Sequence, residues 1–375
     1  MSAFQCPGIC ALGVCLLLFL ASPMMAQDSP SAEPVVLNIP ESALKSGLLT
    51  AHVEQVSQAV RYWLDRLGDA NSDSEILAAR KGLMADYNRY DSMKYQYVFA
   101  EQVAKGIGDL LKLEDLRKQI NTGLVVSQIR QVPVQPALNA MLTHPNPALR
   151  LYAWQGYLRI RLLVLAQGKD YAETMYAALA KAASTEESPL VLGEAFGMFS
   201  IDSDPPRSMT AQDFEQARKR MLAILQGIWP GLCDRVGDGD AEMITCCRGG
   251  IAALRNVHDT LAADNVSSAT ILPMVYAMMW SAAKTLTGVE PDSPVGAALE
   301  PLLQDCENAL NYVTKARKSP MTAAMSIKDP IDRGLAVLSA VQAWRETLIA
   351  GGYELDESGT APEPSATPGT PPAGT

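Results

Sequence analysis

Two segments of this chain, 42 residues apart, repeat one helix-starting turn and one pattern of bulky and small residues. Aligning Pro147 with Pro189 pairs Asn146 with Ser188, Leu149 with Val191, Ala153 with Ala195, Trp154 with Phe196 and Tyr157 with Phe199. Counted from Leu149 or Val191, the last four pairs fall at positions 0, 4, 5 and 8, together on one helical face. The small alanine lets a neighbouring helix approach while the aromatics fill the space beside it. Ahead of each copy lies another helix-like stretch, 135–142 and 173–183. The unit therefore reads helix, turn, helix, with a period in the range of stacked helical repeats.

The same punctuation recurs along the chain. Asn146-Pro147, Ser188-Pro189, Ser293-Pro294 and Asp329-Pro330 each put a side-chain oxygen before a proline. The oxygen serves the orphan N–H groups of a starting helix, and proline lacks a donor where none is needed. Ser72 with Glu75 forms a capping box. Thr210 with Asp213 does so more loosely, before Phe214, Ala217, Met221, Leu225 and Ile228 at spacings of three and four. Strand-like alternation is confined to VVLNI at 35–39. The fold class expected is all-α, a stack of helical hairpins. A third copy starts at Asp240, with Met243, Cys247 and Ile251 on its face but Arg248 where the aromatics stood. The pattern, clearest in MLTHPNPALRLYAWQGYL, resembles HEAT repeats over residues 136–200 and reaches to about 256. What that resemblance implies is an α-solenoid, a curved stack of helix pairs that binds other macromolecules and has no catalysis of its own.

Residues 1–26 contain no Asp, Glu, Lys or Arg, and Ile9 to Ala21 is almost unbroken apolar. Such a run suits the core of a secretory signal peptide and is too short to span a bilayer. Cleavage after Ala26 leaves Gln27 as the mature start. An uncleaved N-terminal anchor is the competing expectation, because no basic residue precedes the run and Met24 is bulky for its place before the cut. A linker (27–34), an α-helical domain (35–352) and a tail (353–375) then follow. From Ser358 the tail is Pro, Thr, Gly, Ala and Ser with a single Glu, too little apolar surface to offset its ordering entropy. The expectation is an exported protein, periplasmic or extracellular, with a disordered C-terminus and no transmembrane span after signal cleavage. Asn265-Val266-Ser267 is a glycosylation sequon, meaningful in a eukaryotic secretory route.

Composition narrows the function. A hydrophobic fraction of 48% supports a packed core. A formal charge of −10, from 31 Lys and Arg against 41 Asp and Glu, argues against nucleic-acid binding, which needs a basic face. No GxSxG, HExxH or Walker loop occurs, and His52, His144 and His258 are isolated in sequence. Removal of the signal leaves Cys233, Cys246, Cys247 and Cys306 as candidates for disulfides, with buried free thiols as the alternative. Asp234, Asp238, Asp240 and Glu242 offer calcium chemistry without the EF-hand register, and Asp240 is placed to cap the next helix. Met274, Met278, Met279, Met321 and Met325 carry thioethers suited to Cu(I), but their helical spacing reads as core. No catalytic residue, cofactor or metal ligand is assigned.

Carboxylate pairs at Asp202 and Asp204, Glu186 and Glu187, and Asp329 and Asp332 keep a glycoside-type hydrolase as the competing function. That chemistry needs two acids roughly 5–10 Å apart in an aromatic-lined cleft. A purely structural helical bundle is the third reading. Arg218, Lys219 and Arg220 read as solvated. Tyr87, Tyr90, Tyr95, Tyr97 and Phe99 read as interhelical packing with hydroxyls at the rim. The expected function is a non-enzymatic scaffold or protein-binding module of the periplasm or envelope, with a protein as partner.

Overall fold

The computed structural model describes residues 35–355, apart from 200, 202, 203, 206, 208, 262–264 and 288 and the side chains of 265 and 266. The signal segment, the linker, Asp202 and the tail beyond Leu355 lie outside the described residues. Fifteen α-helices and no strand are found among those described. They begin with α1 (Glu41–Ser46), α2 (Thr50–Asp69), α3 (Asp73–Tyr87), α4 (Met93–Leu110) and α5 (Leu116–Gln128). A 3-10 turn, Val132–Val134, leads into α6 (Gln135–Leu142), α7 (Pro147–Gln167), α8 (Lys169–Ser184) and α9 (Pro189–Phe199). Then come α10 (Ala211–Gly237), α11 (Ala241–Thr260), α12 (Asn265–Leu286), α13 (Pro294–Thr314), α14 (Pro320–Met325) and α15 (Pro330–Ala350).

Several helices start where side chains satisfy orphan amides. Ser72 Oγ accepts from Glu75 N at 3.3 Å, and the Glu75 carboxylate accepts from Ser72 N at 3.0 Å. Asn146, Ser293 and Asp329 accept from Ala148, Gly296 and Ile331 amides at 2.9, 3.1 and 3.0 Å, each just before a proline. Such a cap contributes about 1 kcal/mol. Capping fixes where helices begin, but the fold comes from how they then pack.

From α2 to α11 each helix packs against the second helix after it, and most also pack against the next one. One row runs α2, α4, α6, α8, α10, α12, α15, and the other runs α3, α5, α7, α9, α11, α13. The core lies between the rows. Leu149, Ala153, Trp154 and Tyr157 of α7 and Val191, Ala195, Phe196 and Phe199 of α9 are all buried, and the two helices pack side by side. Trp154 meets Phe199 edge-on with ring centroids 6.0 Å apart. The next step is built differently. Phe196 turns towards α11, where a Cβ on Gly250 would come within 3.2 Å of its ring and 3.1 Å of Trp229. Bare backbone at Gly249 and Gly250 receives the aromatic there, so the third copy needs no aromatic of its own. Stacking continues past residue 256, through α12, α13 and α15, where no repeat pattern is visible in the sequence.

Two expectations are corrected. VVLNI is extended and alternates, with Leu37 and Ile39 buried and Val36 exposed, but it is not a strand. The Tyr90 hydroxyl, from the turn after α3, accepts from Ile39 N at 3.1 Å and donates to Leu37 O at 3.0 Å, doing what a partner strand would do. The packed chain also runs past residue 352: Tyr353 and Leu355 rest against the core, and Tyr353 N bonds Leu348 O at 3.1 Å.

The last helices are joined by a carboxylate. Glu307 on α13 is fully buried and accepts from Met321 N at 2.7 Å, Thr322 N at 3.2 Å, Thr322 Oγ1 at 3.1 Å and Trp344 Nε1 at 3.2 Å. One side chain thus caps α14 and anchors α15.

Candidate binding surface

Grooves open between successive helices of the row that contains α8 and α10. Between α4, α6 and α8 lies one of about 490 Å³, walled by Tyr97 and Tyr171. Between α8 and α10 two openings of about 570 and 680 Å³ share Ser184, Gly227 and Ile228, and so form one long groove. Between α10 and α12 another, of about 480 Å³, is edged by Asp234, Ser281 and Lys284.

The α8–α10 groove has a floor of small residues. Ala223, Gly227 and Gly231 sit one turn apart on α10, and Cβ atoms added at either glycine would meet nothing within 4 Å. Arg220 closes one end through Glu173 at 2.5 Å. The other end is braced by two arginines that tie successive turns together. Arg150 grips Glu186 with Nε and Nη2 at 2.7 and 2.8 Å while donating to His144 O and Pro145 O, both at 2.9 Å. Arg235 donates to Glu187 O at 2.9 Å and pairs with Asp240 at 2.9 Å. These forks fix the turns that frame the groove.

Most residues singled out in the sequence have structural work. Asp240 caps α11 through Met243 N at 3.0 Å and pairs with Arg235, and no cluster with metal-binding geometry occurs among the described residues. Met274, Met278, Met279 and Met321 are core. His52 Nδ1 accepts from Leu49 N at 3.2 Å, and His144 Nδ1 accepts from Asn146 N at 3.0 Å. Among the described residues the candidate carboxylates do not converge on an aromatic cleft. Glu186 is held by Arg150 and Asp329 caps α15, whereas Glu187, Asp204 and Asp332 are exposed. Arg218, Lys219 and Arg220 are not simply solvated: Arg218 stacks on Phe214 at 4.5 Å, Lys219 pairs with Glu215 at 2.8 Å, and Arg220 pairs with Glu173. Tyr87, Tyr95 and Phe99 are packed between helices, and Tyr95 donates to Asp86 O at 2.6 Å. Tyr97 alone of that cluster turns outward.

All four cysteines are free thiols, so the bridges allowed by their number are not present in the structure. Cys246 faces α9, its Sγ 3.1 Å from Pro189 O, while Cys247 is buried on the other side of the helix, towards Cys233 and Cys306. Burial pushes the Cys246 thiol up to about 11 and Cys233 up to about 12, with Cys247 and Cys306 raised further. Iodoacetamide near neutral pH should therefore modify the half-buried Cys246 first and the other three only on unfolding. Mass spectrometry of timed samples checks this; equal rates at all four would contradict it.

Two histidines resist protonation. Burial lowers His144, helped by the Arg150 charge, and burial lowers His258, whose Nδ1 has no partner. The unfolded chain therefore binds protons more readily at these sites. Their contribution to stability is complete above the ordinary value of 6.5 and is lost as pH falls below it. Denaturant midpoints should drop from pH 7 to pH 5, and His144→Gln should flatten part of that drop.

Sequence reasoning missed Gly227 and Gly231, the Arg150–Glu186 clamp, Tyr171 and Glu307. Only the two helix-interior glycines carried a local signal, since glycine disfavours a helix. No helix among the described residues is long and apolar enough to cross a membrane. No protein-family model matches the chain, and no curated protein matches it. Among solved structures the chain is similar to the crystal structure of an engineered protein, at 13% identity over 81% of this chain and 92% of that one, with a TM-score of 0.29. At that score the likeness carries no argument, and the all-helical, two-row stack stands on the packing described above.

Proposed function

We propose that the chain is an exported, non-enzymatic, HEAT-like binding module that presents the α8–α10 groove and its neighbours to a protein partner in the periplasm, envelope or extracellular space. The observation that supports this reading is the open floor at Gly227 and Gly231. Helix-interior glycine costs roughly 0.5–1 kcal/mol relative to alanine, and here nothing in the fold occupies the space that a side chain would take. Of the carboxylates a hydrolase would draw on, Glu186 is engaged in a clamp and Asp329 in a cap, while Glu187, Asp204 and Asp332 are exposed.

Gly227→Arg and Gly231→Arg test it, because each fills the groove without striking the fold. Both variants should melt no lower than the parent chain. Affinity capture of the mature protein from its own envelope fraction, read by mass spectrometry, should return a reproducible partner that either arginine removes. A partner set that ignores both variants, or no partner at all, overturns the reading. N-terminal sequencing of the exported protein should begin at Gln27.

A further inference from the structure

The groove between α4, α6 and α8 differs from its neighbours in chemistry. Tyr97 (38% exposed) and Tyr171 (49% exposed) form its walls. Pro133 and Pro136, whose rings fix the backbone around the start of α6, form a rigid edge between them. Asn139 has its Oδ1 turned to the Tyr157 hydroxyl, which leaves its amide N–H groups for the groove. Gln135 is buried below and donates to Tyr171 O at 3.2 Å, holding the first turn of α8 in place. Glu101 and Asp170 lie at the rim, and neither carboxylate has an ion-pair partner among the described residues. On neighbouring grooves of this row Glu173 is matched by Arg220 and Glu186 by Arg150, whereas Glu187 and Asp234, like Glu101 and Asp170, have no ion-pair partner among the described residues.

Donors, aromatic faces and unmatched negative charge select a ligand. A polyproline II segment has no N–H groups to satisfy at its prolines, offers outward carbonyls as acceptors, and lays flat rings against aromatic walls. Tyrosine hydroxyls and the Asn139 amide supply the donors such carbonyls lack. An Arg or Lys beside the prolines would meet the two rim carboxylates and could stack on a tyrosine face. The geometry points to this groove as a docking site for a proline-rich segment that carries a basic residue. The inference rests on the binding-module reading and assigns it a partner chemistry at a separate groove. The chain's own tail, 358–375, is proline-rich but has no Lys or Arg and contains Glu363, so it serves as a matched control of the wrong charge.

The test is fluorescence anisotropy with the purified full chain and three labelled peptides: an oligoproline bearing two arginines, the same peptide with glutamates in their place, and residues 358–375. The arginine peptide should bind at least tenfold more tightly than either of the others. Tyr97→Ala with Tyr171→Ala should weaken it at least tenfold; both side chains are exposed, so the melting temperature should hold. Glu101→Gln with Asp170→Asn should abolish the preference for arginine over glutamate while retaining residual proline binding. Equal affinity for the peptides, indifference to the tyrosine variants, or no binding overturns the proposal. Because Gly227 and Gly231 lie in a different groove, the arginine variants there report on the general reading independently.

Discussion

Replacing Glu307 with alanine is expected to destabilise the carboxyl end of the stack by about 3–5 kcal/mol. The substitution strands the Met321 amide, the Thr322 amide and the Trp344 indole N–H, two of which belong to residues with no solvent exposure. A buried unsatisfied donor costs about 1–3 kcal/mol, and three share one acceptor here. Glu307→Gln should be intermediate, since the amide keeps one acceptor but turns an N–H towards another donor. In a stack where each hairpin touches only its neighbours, the loss should appear locally. An early phase should emerge in urea unfolding, with faster hydrogen exchange at Met321 and Thr322 and little change in α2 to α7. A single transition shifted by less than about 1 kcal/mol would show that the clamp contributes little.

Trp154→Ala should cost about 3–5 kcal/mol, the range for emptying a large aromatic site in a core. Its ring is fully buried between α7 and α9 against Phe199. Trp154→Phe should behave differently. The indole N–H has no hydrogen-bond partner, so phenylalanine removes an unsatisfied donor along with part of the ring, and the two effects oppose. A net change within about 1 kcal/mol of the parent is expected. Equilibrium unfolding of both variants checks the pair. If phenylalanine were as damaging as alanine, ring volume alone would govern the site.

These two residues also mark the reach of the sequence. Trp154 was legible because its partners recur at fixed helical spacing, and Asn146-Pro147 announced where its helix begins. Those signals are local: a cap acts within one turn, and a face is defined by residues three and four apart. The step from α9 to α11 was only half legible. Met243, Cys247 and Ile251 gave the face, but Gly249 and Gly250 mean nothing until Phe196 is known to stand over them. VVLNI was read as alternating and as the one strand candidate, and what pairs with it could not be seen, because the hydroxyl that satisfies it belongs to Tyr90, 51 residues away. At Glu307 the partners stand 14, 15 and 37 residues ahead, and no spacing rule connects a buried carboxylate to an indole that far along the chain.

The sequence by itself determined the all-helical class, the capped starts of several helices, the apolar faces of α7, α9, α10 and α11 and the matching of two neighbouring hairpins, all of them consequences of backbone geometry acting over one or two turns. Tertiary structure alone decided that the stacking continues to α15, which grooves stay open, which charges are clamped and which two carboxylates are left facing a pair of tyrosines. Those outcomes depend on distances between residues whose separation along the chain carries no periodic signature.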